Sequence, residues 1–335
     1  MNEKIDLKYE NPNGYQIDYG LLQEFESHLN PINPESCQIP CRVLGYGEMS
    51  TVFEIKEQNM QGLAFKRISI FESTDELEDY LITYDEYHHI LEDEIGLNLP
   101  PNGYAVVISN SRRPIFYIIQ EKIQPTAVGN QAIHLMPGHM VEKLTQCVLR
   151  DLLRVWNYNL LDTGCCVGID GQISNWVIKD FDVDKPCIEQ DTCLCYVDTS
   201  TPMLRLNGEE QLDTELFLRP APSFLAWILR LFIVQDVLDR YYEFRKVVID
   251  ILANFYKEQR PDLISPSLQV ANEFFSNEAA EFNLEPIQED EISSYYKEDA
   301  SIWRLYLNMR YLDRFIYRYI LRRDYPYILP PKIKR

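Results

Sequence analysis

The chain lacks any run of apolar residues long enough to cross a bilayer. Its most apolar stretch, Phe224 to Leu238, is broken by Arg230 and Asp236 and falls short of the ~20 residues that a membrane-spanning helix needs. Met1 to Tyr9 is charged and carries no apolar run, so no secretory signal is expected. Positive charge is scarce: 32 Lys and Arg stand against 52 Asp and Glu, a formal net charge of −20. A balance this acidic argues against a body that wraps nucleic acid or rests on an anionic membrane. Histidine is sparse, with five in the chain. His88 and His89 are adjacent, so on a helix their side chains diverge by about 100° and cannot easily share a metal. His134 and His139 lack a cysteine or carboxylate at ligand spacing. The eight cysteines, among them the close pairs Cys37 and Cys41, Cys165 and Cys166, and Cys193 and Cys195, do not fall at zinc-ribbon spacing. Buried free thiols in a reducing, cytoplasmic environment are the expectation.

What is present is a globular composition. Hydrophobic residues make up 46% of 335, and 22 Tyr, 15 Phe and 4 Trp supply too much aromatic surface for a disordered chain. The first third reads as short strands punctuated by turns. Arg42 to Leu44, Val52 to Ile55, Leu63 to Lys66, Ala105 to Ile108 and Ile115 to Gln120 form a set of five. One helix, from about Thr74 to Glu94, interrupts them. Ser73 followed by Glu76 is a capping-box signature, and Leu77, Tyr80, Leu81, Tyr84, Tyr87 and Leu91 recur at helical spacing.

After Gln120 the pattern turns helical. Gly138 to Tyr158 places Val141, Leu144, Val148, Leu152 and Val155 on one face. Trp176 to Ile178 and Cys193 to Val197 read as a strand pair with a long, Asp-rich connection. A helical stretch runs from about Ser223 to Gln259, where Pro261 stops it. Residues 273 to 300 read as an acidic link to a last helix, Ile302 to Arg323. The expected fold class is therefore α+β: residues 1–120 form a strand-rich lobe with one helix, and residues 121–335 a mainly helical lobe.

Chemistry concentrates in an ordered series of residues. Gly45 and Gly47, with Ser50, sit in a turn between two strands, where glycine lets the backbone approach a phosphate. A strand follows where the Rossmann and Walker patterns require a helix. Lys66 lies 21 residues after Gly45, preceded by Ala64 and Phe65. It reads either as an edge charge that snorkels or as a cation aimed at phosphate. Glu86 on the following helix is the carboxylate to hold it, with Asp85 the competing choice and a solvated helix face the plainer reading of both. Asp170 and Asn175 precede one strand, and Asp198 ends another. Such oxygen ligands suit Mg²⁺ and the orientation of an attacking hydroxyl; each alone is also a common turn residue.

Taken in this order, the residues resemble the protein-kinase-like superfamily, including its small-molecule kinases of the aminoglycoside and choline kinase type. The resemblance covers residues 42 to 198 well and the remainder loosely. It implies a two-lobed fold that binds ATP and Mg²⁺ between its lobes. Gly45, Gly47 and Ser50 would cover the nucleotide phosphates, and Lys66 would pair with the phosphates and Glu86. Gln120 to Ile123, including Glu121 and Ile123, would form the hinge that meets adenine. By the same carry-over Asp170 is the catalytic aspartate, Asn175 a metal ligand and Asp198 the main metal ligand.

The departures are specific. Gly168 and Ile169 stand where protein kinases carry His-Arg, and Thr199 and Ser200 where they carry Phe-Gly. The arginine that reads a phosphorylated activation loop is absent. These differences favour phosphoryl transfer to a hydroxyl of a small metabolite. A nucleotide-binding pseudokinase or regulator, and nucleotidyl transfer on the same fold, are the alternatives. Asp180, Asp182 and Asp184 read as an exposed acidic tip, since Lys185 and Pro186 spoil a calcium loop.

Residues 301 to 335 hold nine Lys/Arg against two Asp, a local +7; subtracting that from −20 leaves −27 for residues 1 to 300. Arg310, Arg314, Arg318 and Arg322 form a stripe at four-residue spacing, opposite an apolar face of Leu305, Leu312, Phe315, Ile316 and Ile320. The stripe would dock on the acidic body or receive an anionic partner.

Overall fold

The computed structural model describes residues 9–10, 15, 17–47, 49–161, 163–219, 238–323 and 325–330. Glu48 of the glycine turn, most of the N-terminal segment, and residues 220–237, which hold most of the apolar stretch and the start of the helical stretch from Ser223, lie outside the described residues.

The protein is a mixed α/β structure built on an antiparallel sheet. Five strands follow one another: β2 (Cys41–Tyr46), β3 (Ser50–Ile55), β4 (Leu63–Ile68), β5 (Asn102–Ile108) and β6 (Pro114–Glu121). The two-residue β1 (Tyr9–Glu10) pairs with β5 at the edge, giving the order β1-β5-β6-β4-β3-β2. All five strand segments read from the sequence fall inside these elements. Side chains alternate across the sheet. Ile68, Val106, Phe116 and Ile118 join one apolar cluster, and Phe53, Phe65, Val107 and Ile119 join another.

Each cluster is closed by a helix. α2 (Thr74–His89) covers the first with Leu77, Tyr80, Leu81 and Tyr84. Its N-cap is Ser73, whose Oγ accepts from the Glu76 amide at 3.3 Å, and the Glu76 carboxylate bonds the Glu72 amide. The helix ends in a wide turn, Ile90–Glu94. α1 (Tyr19–His28) covers the other face through Leu22 and Phe25. Sequence reading did not find this helix, because its ten residues are short for helical periodicity and include a glycine. Glu26 of α1 receives Arg67 in a bidentate pair at 2.8 and 2.7 Å, and Tyr117 donates to the same carboxylate at 2.6 Å. This buried network ties α1 to two strands.

The largest core lies among the later helices. α3 (Gly138–Asn159) buries Val141, Leu144, Val148, Leu152 and Val155, as its spacing predicts. It packs with α4 (Phe244–Lys257) and α5 (Ile264–Asn277). The short strands β7 (Cys165–Val167), β8 (Trp176–Ile178), β9 (Leu194–Tyr196) and β10 (Leu204–Leu206) supply the rest, with β8 and β9 paired as Trp176 opposite Tyr196.

Three expectations are corrected. Residues 289–300 are not a link: they begin α6 (Glu289–Phe315), where Gln288 and Glu291 form a reciprocal cap and acidic residues occupy the favourable N-terminal turn. The arginine stripe is not one surface: Arg310 is buried against the Ile328 carbonyl and the Tyr306 and Tyr327 rings, whereas Arg318 and Arg322 are exposed, as are Leu305, Leu312, Phe315 and Ile320. The free cysteines are not uniformly buried; Cys187 and Cys193 are exposed.

Candidate functional site

Lys66 sits in the middle of β4, opposite Val52 on one side and Ile118 on the other. The pleat turns it away from Arg67 and Glu26, to the sheet face that α2 covers. Its ammonium donates to Asp198 Oδ1 at 2.7 Å, and both side chains keep partial exposure, 20% and 28%. Asp198 follows β9, and the Ser200 hydroxyl donates to the same oxygen at 2.9 Å. Burial acts to raise the Asp198 carboxyl, but Lys66 and Ser200 outweigh it and hold the group below its ordinary range.

Asp170 lies in the loop after β7. Its Oδ1 accepts from the Gln172 amide at 3.0 Å, and its carbonyl accepts from Asn175 Nδ2 at 3.1 Å. Trp176 Nε1 bonds the Gly171 carbonyl, and a Cβ on Gly171 would fall 2.6 Å from Val247 Cγ1 of α4. Glycine is therefore required here so that the loop can lie against α4. Burial drives the Asp170 carboxyl well above its usual range, reinforced by the charges of Asp250 and Asp198. Asp250, on α4, is pushed up to about 7 by burial and then by Asp299. Asn175 and Asp198 are brought alongside each other by the β8–β9 pair, in which the Val197 amide donates to the Asn175 carbonyl at 2.9 Å.

The glycine turn closes the β2–β3 hairpin. The Gly47 amide donates to the Ser50 carbonyl at 3.0 Å, and a Cβ on Gly47 would meet Ser50 Oγ at 2.5 Å. Gly45 adjoins a register shift in the ladder and has open space where a Cβ would stand. At the other end of the sheet Glu121 is the exposed last residue of β6, while Ile123 packs against the helical core. Between them the Lys122 amide is used by the Gly62 carbonyl.

Glu86 is where expectation and structure part. It is exposed on α2 and has no ion pair among the described residues; Lys66 pairs with Asp198 instead. One position on, Tyr87 is fully buried and its hydroxyl donates to the Gly168 carbonyl at 2.9 Å. Two turns earlier the Tyr80 hydroxyl donates to the Ser200 carbonyl at 2.9 Å. Tyrosine hydroxyls thus join α2 to the segments carrying Asp170 and Asp198. Their helical spacing marked Tyr80 and Tyr87 as core residues, but nothing in the sequence marked where their hydroxyls would reach.

A second group that sequence reading missed lies beside Asp170. Gln172, Asp250, Asn254, Lys257, Tyr295 and Asp299 line a shallow recess, in which Lys257 Nζ donates to Gln172 Oε1 at 2.9 Å. Lys257 is 85 positions from Gln172, too far for any local pattern to join them.

The donor set suits a hard divalent cation. Asp198 spends Oδ1 on Lys66 and Ser200, and Asn175 spends its amide nitrogen on the Asp170 carbonyl, which leaves one oxygen of each for a ligand. Among the described residues no three His, Cys, Asp or Glu side chains are grouped to enclose a metal. Two oxygens fit Mg²⁺, which keeps water and phosphate ligands of its own.

Fold and site together define a mixed α/β protein in which a sheet lysine is ion-paired to an aspartate held among the helices. The chain belongs to the family described as "Family of unknown function (DUF6206)", whose model matches residues 36–314. No curated protein matches it. Among solved structures, WaaP in complex with acyl carrier protein is 16% identical at a TM-score of 0.30, covering 66% of this chain and 86% of that one. The GDP complex of aminoglycoside 2'-phosphotransferase-IIIa is 12% identical at 0.30, covering 71% and 93%. The kinase domain of maize SIRK1, sucrose-induced receptor kinase 1, bound to AMP-PNP, is 11% identical at 0.33, covering 79% and 100%. Likeness at this level leaves the function to the residues of the site.

Proposed function

We propose that the protein is a kinase-like phosphotransferase that uses ATP and Mg²⁺ to phosphorylate a hydroxyl, most simply on a small metabolite. Residues 1–120 would serve as the nucleotide-binding lobe and residues 121–335 as the catalytic lobe. The observation that carries this reading is the 2.7 Å contact between Lys66 and Asp198, with Asp170 and Asn175 on the adjoining loop. In this reading Lys66 stabilises charge on the transferring phosphoryl group, and the glycine turn with Ser50 lies over the phosphates. Asn175 and Asp198 would hold the metal, which supplies charge neutralisation when bound. Asp170 orients the acceptor hydroxyl and accepts its proton, and its raised basicity suits that role once the group is ionised.

One observation favours a second reading, a nucleotide-binding regulator with little catalysis: Glu86 is turned out of the site, so Lys66 lacks the carboxylate that the resemblance implies. ATP labelled separately on its α- and γ-phosphates, incubated with Mg²⁺ and a small-metabolite extract, separates the readings. Transfer of γ-label, reduced by about 10²–10⁴ in Asp170→Ala with ATP binding retained, is the expected result. Transfer of α-label instead would mean nucleotidyl transfer. No transfer from either position, with tight Mg²⁺-ATP binding, would leave only the regulator.

A further inference from the structure

The C-terminal end of α6 and the wide turn that follows it, Ile316–Ile320, present an apolar side to solvent. Among the described residues thirteen large hydrophobic side chains are exposed, and six of them are Leu305, Leu312, Phe315, Tyr319, Ile320 and Leu321. Leu305, Leu312 and Phe315 recur at i, i+7 and i+10 and share one helix face. The opposite side is anchored in the fold: Leu307, Met309, Arg310 and Asp313 are buried. The exposed face is thus held outward by packing. Isolated exposed leucines are ordinary on a protein surface; a cluster of six within seventeen residues marks an interaction site.

The charge around this face identifies what it fits. Arg304, Arg318, Arg322 and Arg323 are exposed, and none of them is in an ion pair among the described residues. The 301–335 segment carries +7 while residues 1–300 carry −27. An apolar helix face bordered by unpaired arginines is the pattern of a helix lying in the plane of an anionic lipid surface. The acidic remainder would be repelled by the same surface, so only this end of the molecule can approach it. We propose that the C-terminal end of α6 and the segment that follows it, residues 316–323, dock on an anionic membrane surface, with Phe315, Tyr319 and Ile320 entering the headgroup region and Arg318 and Arg322 meeting the headgroups. No helix among the described residues is long and apolar enough to cross a membrane, so the contact is peripheral. The acidic net charge led to the opposite expectation because it averages over both ends of the chain.

The test is co-sedimentation of the full chain with vesicles of phosphatidylcholine alone and of equimolar phosphatidylcholine and phosphatidylglycerol. Binding to the anionic vesicles at low salt, released by high salt and largely missing from the neutral ones, is expected. Arg318→Gln and Arg322→Gln should each weaken it about fivefold. Phe315→Ser combined with Ile320→Ser should abolish it without changing the thermal midpoint, because both side chains are exposed. Absence of binding to either vesicle, or binding that these variants leave unchanged, would overturn the proposal. So would concentration-dependent self-association of the wild type that the Phe315 and Ile320 variant removes, since the face would then belong to a second copy of the chain.

Discussion

Lys66 and Asp198 are 132 positions apart in the chain and 2.7 Å apart in space. The contact joins the middle of a sheet strand to the loop after β9, and it lies within reach of the Asp170 loop. Its partner choice is informative, because it leaves Glu86 in solvent and gives the attachment of α2 to two tyrosine hydroxyls.

That arrangement predicts opposite outcomes for neighbouring residues. Tyr87→Phe removes a buried hydrogen bond to the Gly168 carbonyl and should cost about 1 kcal/mol in urea unfolding. Glu86→Ala should stay within about 0.5 kcal/mol and leave ATP affinity unchanged. A tenfold loss of ATP affinity in Glu86→Ala would show that α2 rotates to bring this carboxylate to Lys66.

The pH response follows from Asp250. Its folded carboxyl titrates at about 7, above the unfolded value of about 3.9, so between these limits the folded chain binds the extra proton. Stability contributed by this group is present at low pH and is lost as pH rises toward 7. Asp250→Asn should therefore flatten the decline in thermal midpoint between pH ~4 and ~7. It also removes a negative charge that helps raise Asp170, so the acid limb of γ-phosphoryl transfer should move to lower pH. An unmoved limb would separate Asp170 from the reaction.

Gly171→Ala tests the fit of the Asp170 loop against α4. The new methyl would stand 2.6 Å from Val247 Cγ1 and 3.2 Å from Ile251 Cδ1. A cost of about 1–3 kcal/mol is expected, with loss of any Asp170-dependent activity. Val247→Ala in the same chain should restore part of both, and failure to do so would place the strain elsewhere.

On the far face of the sheet, Glu26→Gln leaves the Arg67 guanidinium without its charged partner in the core. Both side chains are nearly inaccessible, at 3% and 5% exposure. Destabilisation of about 3–5 kcal/mol is expected in denaturant unfolding. Replacing the pair together, Glu26→Leu with Arg67→Met, should recover much of it. Nucleotide affinity in the double variant should be unaltered, since the pleat directs Lys66 to the opposite face.

Much of the fold was legible because its signals are local. The five strand segments, the Ser73 cap and the buried face of α3 follow from periodicity and turn chemistry within a few residues. Gly45, Gly47, Ser50, Lys66, Asp170, Asn175 and Asp198 could be nominated as candidates because order and residue type survive in one dimension. Other features needed the fold. Tertiary packing stabilises the short helix α1 against the sheet, with Glu26 closing on Arg67. Packing likewise put Arg310 inside and Phe315 outside, a choice that amphipathic spacing left open for α6. Spacing shows that a helix has two faces, but which one is buried depends on what lies beside it. The partner of Lys66 was decided in the same way. Sequence supplied a lysine and several carboxylates, while the packing of α2 through Tyr80 and Tyr87 placed Asp198, and not Glu86, within reach of its ammonium.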